Sequence, residues 1–147
     1  MTRAKLDNLA RIGQLHIQPW SKSEFDGLVV SGVARLKDAR HPELSLESRF
    51  DLAYNAAHAL SLAALRWHGF RSESRYQVFQ CLQHTVELDS AQWRVLDQAH
   101  RKRNLAEYEG HLEIDQALVD AVIRITSEIH ARVEALAQLS SPADGKR

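Results

Sequence analysis

The sequence predicts an all-α protein, a helical bundle of about five to six helices. Three observations support this. Apolar residues recur three and four apart over long stretches, which is the period of an amphipathic helix. The periodic stretches are bounded by Ser, Asp, Gly or Pro in capping positions. No run alternates apolar and polar residues as a half-buried strand would.

The first element is a short amphipathic helix from about Arg3 to Ile12, closed by Gly13, after which Pro19 blocks continuation. Ser21-Lys22-Ser23-Glu24 has the form of a capping box, in which a serine hydroxyl and a glutamate carboxylate satisfy two backbone donors. Phe25, Val29, Gly32 and Leu36 keep helical spacing behind it, and Pro42 ends the segment. From Ser45 to His68, the residues Leu46, Phe50, Ala53, Ala57, Leu60, Ala64 and Trp67 mark one helix face. A second stripe, Leu52, Ala56, Ala59 and Ala63, is rich in small residues, so this helix is expected to be covered on two sides. It is either central or faces a partner subunit.

Gly69 fits the left-handed position after the last turn, with Phe70 placed for the apolar contact back to Leu65. Arg75 to Val86 reads as a further helix through Phe79, Leu82 and Val86. Asp89 and Gln92 then offer a start for the helix carrying Trp93, Leu96 and Ala99. Beyond Gly110 the series Ile114, Leu118, Val122, Ile125, Ile129, Val133 and Leu136 forms a last long helix, and Ser141 to Gly145 mark its frayed end. Residues 1–45 are read as N-terminal helices of the same domain, 46–139 as the helical core and 140–147 as a flexible tail.

Composition narrows the class. The 147 residues suffice for one domain with a core of its own, and 26% charged with 44% hydrophobic residues is ordinary for a soluble globular chain. Lys plus Arg equals Asp plus Glu at 19 each, so any attraction for a polyanion has to be local. Leu52 to Leu65 is too short to span a bilayer, Met1 to Ala10 is not a secretory signal, and the single Cys81 reads as a small core residue. A cytoplasmic protein without a membrane span is expected.

The eight histidines show no His-Glu-x-x-His spacing and there is no cysteine cluster, so neither a metal nor a cofactor is expected. His58 reads as a hydrogen-bonded buried imidazole, and His16, His41 and His130 as surface or loop residues. Glu113 and Asp115 are explained by the positive end of the last helix dipole.

Chemistry is expected in Arg101 to His111, where cations meet acidic and phenolic groups at a helix boundary. Arg101, Lys102, Arg103 and Asn104 suit a phosphate, since a guanidinium offers a bidentate fork and the amide adds a donor. The plainer account is a surface ion pair between Arg103 and Glu107, four apart on one helix. Arg103 and Tyr108 point about 140° apart in an unbroken helix and converge only if it breaks between them.

Two parts of the chain resemble the HEPN superfamily of small helical bundles, many of them ribonucleases or partners of nucleotidyltransferases. Arg49 to Leu60, running on to Trp67-His68-Gly69-Phe70-Arg71, is similar to that family's long alanine-rich helix and glycine turn. Arg101 to Tyr108 is similar to its signature, in which an arginine and a polar neighbour precede a histidine. The likeness covers about Leu46 to Leu139. It implies that Arg103, Asn104 and Tyr108 form the catalytic set, that RNA or a nucleotide is bound, and that the chain is a homodimer. It further implies a ribonuclease toxin countered by a nucleotidyltransferase-type antitoxin.

The chain departs from the signature in one place: Tyr108 stands where the histidine belongs. A phenol with its ordinary pKa is ionised to only about one part in a thousand at pH 7, whereas an imidazole suits proton transfer there. Activity therefore turns on whether His100 or His111 replaces the missing imidazole. The rival expectation is a non-catalytic helical module that binds a protein partner.

Overall fold

The computed structural model describes residues 2–110 and 113–139. It contains α1 (Thr2–Arg11), β1 (His16–Ile17), α2 (Lys22–Ala39), α3 (Leu46–Trp67), β2 (Phe70–Arg71), α4 (Arg75–Gln80), α5 (Leu82–Thr85), α6 (Ser90–Glu109) and α7 (Gln116–Ala137). The fold is an all-α helical bundle. The expected tail, 140–147, and His111 lie outside the described residues.

Helix α3 forms the axis of the bundle. Its two apolar stripes are both covered within the chain, chiefly by α2 on one side and α7 on the other. Phe50, Ala53, Ala56, Ala57, Leu60, Ala63 and Ala64 are at most 1% exposed. The alanines of the small-residue stripe are thus accounted for by intrachain packing.

The close approach of α2 depends on Gly32. A Cβ at that position would lie 2.6 Å from Cγ of Leu60 and 3.4 Å from the Ala56 carbonyl. A hydrogen is what fits there, so Leu60 and Ala56 fix the separation of the two helices.

The helix ends follow their sequence signals, with informative exceptions. Ser21, Ser45, Ser74, Asp89 and Asp115 each accept a hydrogen bond from the backbone N–H three residues on. Only half of the expected capping box forms, because the Glu24 carboxylate pairs with Arg66 of α3. Arg66 is 2% exposed, and its guanidinium also donates to the carbonyls of Gln18 (3.0 Å), Pro19 (2.8 Å) and Phe70 (3.2 Å). A buried cation is costly unless it is paired and hydrogen-bonded, and this demand draws Glu24 away from its own helix end.

Gly69 has φ +90 and Gly110 has φ +79, the left-handed positions that close α3 and α6. The one strand pair among the described residues joins His16 to Arg71 and Ile17 to Phe70 in antiparallel register. Two-residue strands carry no alternation, which is why the sequence predicts none.

The helix expected over Arg75 to Val86 is interrupted at Cys81. The His84 amide reaches back only three residues to the Cys81 carbonyl, at 2.8 Å, the tighter spacing of a 3₁₀ turn. Arg132 of α7 donates to the carbonyls of Val86 and Glu87, both at 2.9 Å, and so holds the turn in which Glu87 adopts φ 57. The last helix begins at Gln116, so Asp115 is its N-cap and Glu113 precedes it, both outside the first turn. Ile114 and Val119 occupy the two positions of a hydrophobic staple and both pack into the main core.

That core gathers Phe50, Tyr54, Phe79, Leu82, Leu96, Val122 and Ile129 around α3. A smaller one, formed by Leu6, Leu15, Leu65, Phe70, Val78 and Cys81, joins α1 to the C-terminal end of α3 and the junction of α4 and α5.

Gly32→Ala is expected to destabilise the protein by about 1–2 kcal/mol, overpacking outweighing the higher helix propensity of alanine. Gly27→Ala on the same helix, where an added Cβ meets nothing within 4 Å, is expected to stabilise by about 0.5–1 kcal/mol. Urea unfolding of the two variants beside the parent checks the contrast in sign.

Candidate functional site

Within α3, an otherwise alanine-rich sequence carries Asp51, Tyr54, Asn55 and His58. Their spacing of three, one and three places them on one stripe of the helix. Opposite lies α6 with His100, Arg103 and Asn104, also three and four apart and therefore on one face. Arg75, the first residue of α4 behind its Ser74 cap, closes the third side.

Tyr54 is the centre of this cluster. It is 0% exposed, its ring lies parallel to those of Phe50 and His100, and Phe79 meets it edge-on. Its hydroxyl is 2.8 Å from Nδ1 of His100. The guanidinium carbons of Arg75 and Arg103 lie 5.3 and 5.1 Å from the ring centroid. Burial raises the phenol pKa, and the charges of both guanidiniums oppose that rise.

Nε2 of His100 is 3.1 Å from Nδ2 of Asn104. With the amide donating to Nε2, the imidazole donates from Nδ1 to the Tyr54 oxygen, and both ring nitrogens are occupied. The His100 pKa is lowered by burial and by Arg75 and Arg103, against the opposing charge of Asp97. The ring is therefore held in its neutral, proton-accepting form at neutral pH.

His58 packs edge-on against Phe79 and is half-buried. Burial, with Arg75, His100 and Arg103 adding like charge, pushes its pKa down to about 4. It makes no hydrogen bond to another described residue, so the expected hydrogen-bonded core histidine is instead a ring held by aromatic packing.

The two arginines carry unequal neutralisation. Arg103 meets Asp51 at 3.8 Å and Glu107 at 3.9 Å, and both acids are mostly exposed. The anticipated Arg103–Glu107 pair is thus present, but it is long and shared. Arg75 donates to the Asn55 side-chain oxygen at 3.2 Å and meets no carboxylate among the described residues.

The structure divides the residues singled out in the sequence. Arg103 and Asn104 face the Tyr54 cluster. Arg101 turns away and pairs with Asp97, and Lys102 borders a different groove with Glu113 and Asp115. Tyr108 is 90% exposed, because α6 continues unbroken to Glu109 and turns only at Gly110. The break required to bring Arg103 and Tyr108 together does not occur. The phenol that does stand beside Arg103 is Tyr54, from another helix.

Sequence reasoning missed Tyr54 and Arg75, and it named His100 as a substitute for the absent histidine without its partner Tyr54. The available signal was the polar stripe in α3, since four polar or amphipathic residues on one face of a buried helix require partners. Arg75 had no comparable signal, because its approach depends on how α4 folds back over α3.

Among the described residues, no three of His, Cys, Asp and Glu are gathered as a metal-binding group, and no helix is long and apolar enough to cross a membrane. Compared with family models, curated proteins and solved structures, the chain finds no match.

The depressed imidazoles make stability depend on pH. His58 binds its proton near its ordinary value of 6.5 when unfolded and at about 4 when folded, so the unfolded state takes up more protons between those values. His68, His84 and His100 shift in the same direction. Stability is expected to fall as the pH drops from about 6.5 towards 4, and His58→Phe is expected to remove roughly 1–3 kcal/mol of that fall. Urea unfolding at pH 7 and pH 5 of parent and variant measures the difference.

Proposed function

We propose that the Tyr54 cluster binds the phosphate of RNA or of a nucleotide, and that the protein is a HEPN-like helical domain. The observation that carries this reading is the convergence of two half-buried guanidiniums, Arg75 and Arg103. Two guanidiniums converge on one neutral phenol, one without a carboxylate and the other with two long ion pairs. An anion with several acceptor oxygens satisfies both, and a bidentate guanidinium contact suits phosphate. The resemblance of Arg101 to Tyr108 to the HEPN signature supports the same reading, with Arg103 and Asn104 at matching positions.

In this reading His100 takes the place of the absent signature histidine. Its Nε2 lies beside the exposed Asn104, within reach of a substrate held by Arg75 and Arg103. In a ribonuclease, the exposed Asn104 amide turns off Nε2, which then accepts the proton of the ribose 2′-hydroxyl while the 2′ oxygen attacks the adjacent phosphorus. The 5′ oxygen leaves with the proton returned from the imidazolium, giving a 2′,3′-cyclic phosphate and a 5′-hydroxyl. Tyr54 accepts from Nδ1 and orients the ring throughout.

A toxin of this kind, cytoplasmic, dimeric and countered by a nucleotidyltransferase-type antitoxin, is the specific form that the HEPN likeness suggests. The second reading, a protein-interaction module, is favoured by Leu105 and Tyr108, which are three apart on α6 and 52% and 90% exposed.

Labelled single-stranded RNA separates the two. Binding by the parent is expected to weaken as salt rises, and Arg75→Gln and Arg103→Gln are each expected to weaken it about ten-fold or more. His100→Asn is expected to retain binding and lose cleavage. A parent protein that binds neither RNA nor nucleotides at low salt sinks the phosphate reading in favour of the interaction module.

A further inference from the structure

Arg103 has two sides. One faces Tyr54, and the other forms a wall of an open groove of about 720 Å³ between α3 and α6. Leu44, Leu52 and Ala106 give the groove apolar surface, while Asp51 from α3 and Glu107 from α6 bring carboxylates to it from opposite helices. The volume lies within the range of small-molecule sites.

The geometry points to the groove as a base-binding site selective for guanine, placed beside the phosphate site, and this inference rests on the phosphate reading above. A phosphate held by Arg103 fixes where the attached nucleoside can go. On one side is the filled aromatic packing of Tyr54 and Phe79, and on the other is the groove, which Phe50 also lines. The apolar side chains offer contact to a base face.

The carboxylates determine which base. An ionised carboxylate only accepts hydrogen bonds, so it needs a base edge with adjacent donors. Guanine presents N1–H and the N2 amino group side by side, which matches two carboxylate oxygens. Adenine and cytosine place a ring acceptor next to their amino group, and uracil flanks its single N–H with two carbonyls. Each of these alternatives sets a lone pair against the carboxylate. A second phosphate is also disfavoured in the groove, because Glu47 adds a further negative charge to its lining.

Arg103 couples the two halves of the site. Its pairs with Asp51 and Glu107 are long, at 3.8 and 3.9 Å, so a phosphate that recruits the guanidinium releases both carboxylates towards the base.

The test is calorimetric titration of the full chain at low salt with GMP, AMP, CMP, UMP and inorganic phosphate. GMP is expected to bind at least about ten-fold more tightly than the other nucleotides, the discrimination of one good bidentate contact. In the Asp51→Asn/Glu107→Gln double variant that preference is expected to shrink to about two-fold, with phosphate binding undiminished. Equal affinity of the parent for all four nucleotides overturns the inference, as does a preference that survives in the double variant. If phosphate binds but no nucleotide binds more tightly than phosphate, the base site fails and the phosphate site stands. If phosphate and all nucleotides fail to bind, both fail together. Short RNAs with one guanosine, compared with the same RNAs carrying adenosine, separate the two sources of the base. Selectivity in RNA with weak GMP binding assigns the groove to a guanosine within a strand, and selectivity in GMP alone assigns it to a free nucleotide.

Discussion

A phenolic hydroxyl removed from water needs a hydrogen-bond partner, and the way Tyr54 meets that need sets the arrangement of the site. The residue lies in the middle of α3, where every neighbour along the apolar stripes is an alanine, a leucine or another aromatic ring. Its oxygen finds its partner on α6, at Nδ1 of His100. That contact agrees with the rotation of α6 that buries Trp93, Leu96 and Ala99 in the core. Once His100 faces α3, Arg103 and Asn104 face it too, and Arg101 must turn outward towards Asp97. Phe79 brings α4 against the same ring, and with it Arg75.

The local electrostatics follow from this packing and not from composition. The chain as a whole is balanced in charge, yet two guanidiniums, two imidazoles and a phenol share one partly buried corner. Burial, reinforced by the cations, holds both histidines neutral, and the neutral histidines avoid adding to the repulsion between the cations. Asp51, the nearest acid on α3, is mostly exposed and reaches Arg103 only at 3.8 Å, so solvent screens much of its effect.

The sequence displayed the scaffold more fully than the site. Helix periods, serine and aspartate caps, and the glycines after α3 and α6 are local features, and each was legible within a few residues. The pairings depend on distance in the chain. Glu24 looked like half of a capping box because its true partner, Arg66, lies on another helix. Tyr108 drew attention as the phenol nearest to Arg103 in sequence, whereas the phenol nearest in space lies 49 positions earlier, at Tyr54. The polar stripe of α3 was visible as well, but its Asn55 and His58 could be taken for mere interruptions of an apolar run. Only the packing of α4 and α6 gives the stripe a purpose.

The buried thiol has a practical consequence of a different kind. Cys81 is the chain's single cysteine, it is 1% exposed, and burial pushes its pKa up to about 12. Almost none of it is thiolate at neutral pH, so it is inert while the small core beneath α1 stays closed. The rate at which it meets an alkylating reagent therefore reports how often that core opens. The molecule thus contains a native clock for its own local breathing, located at the junction of α4 and α5 and readable without an added label.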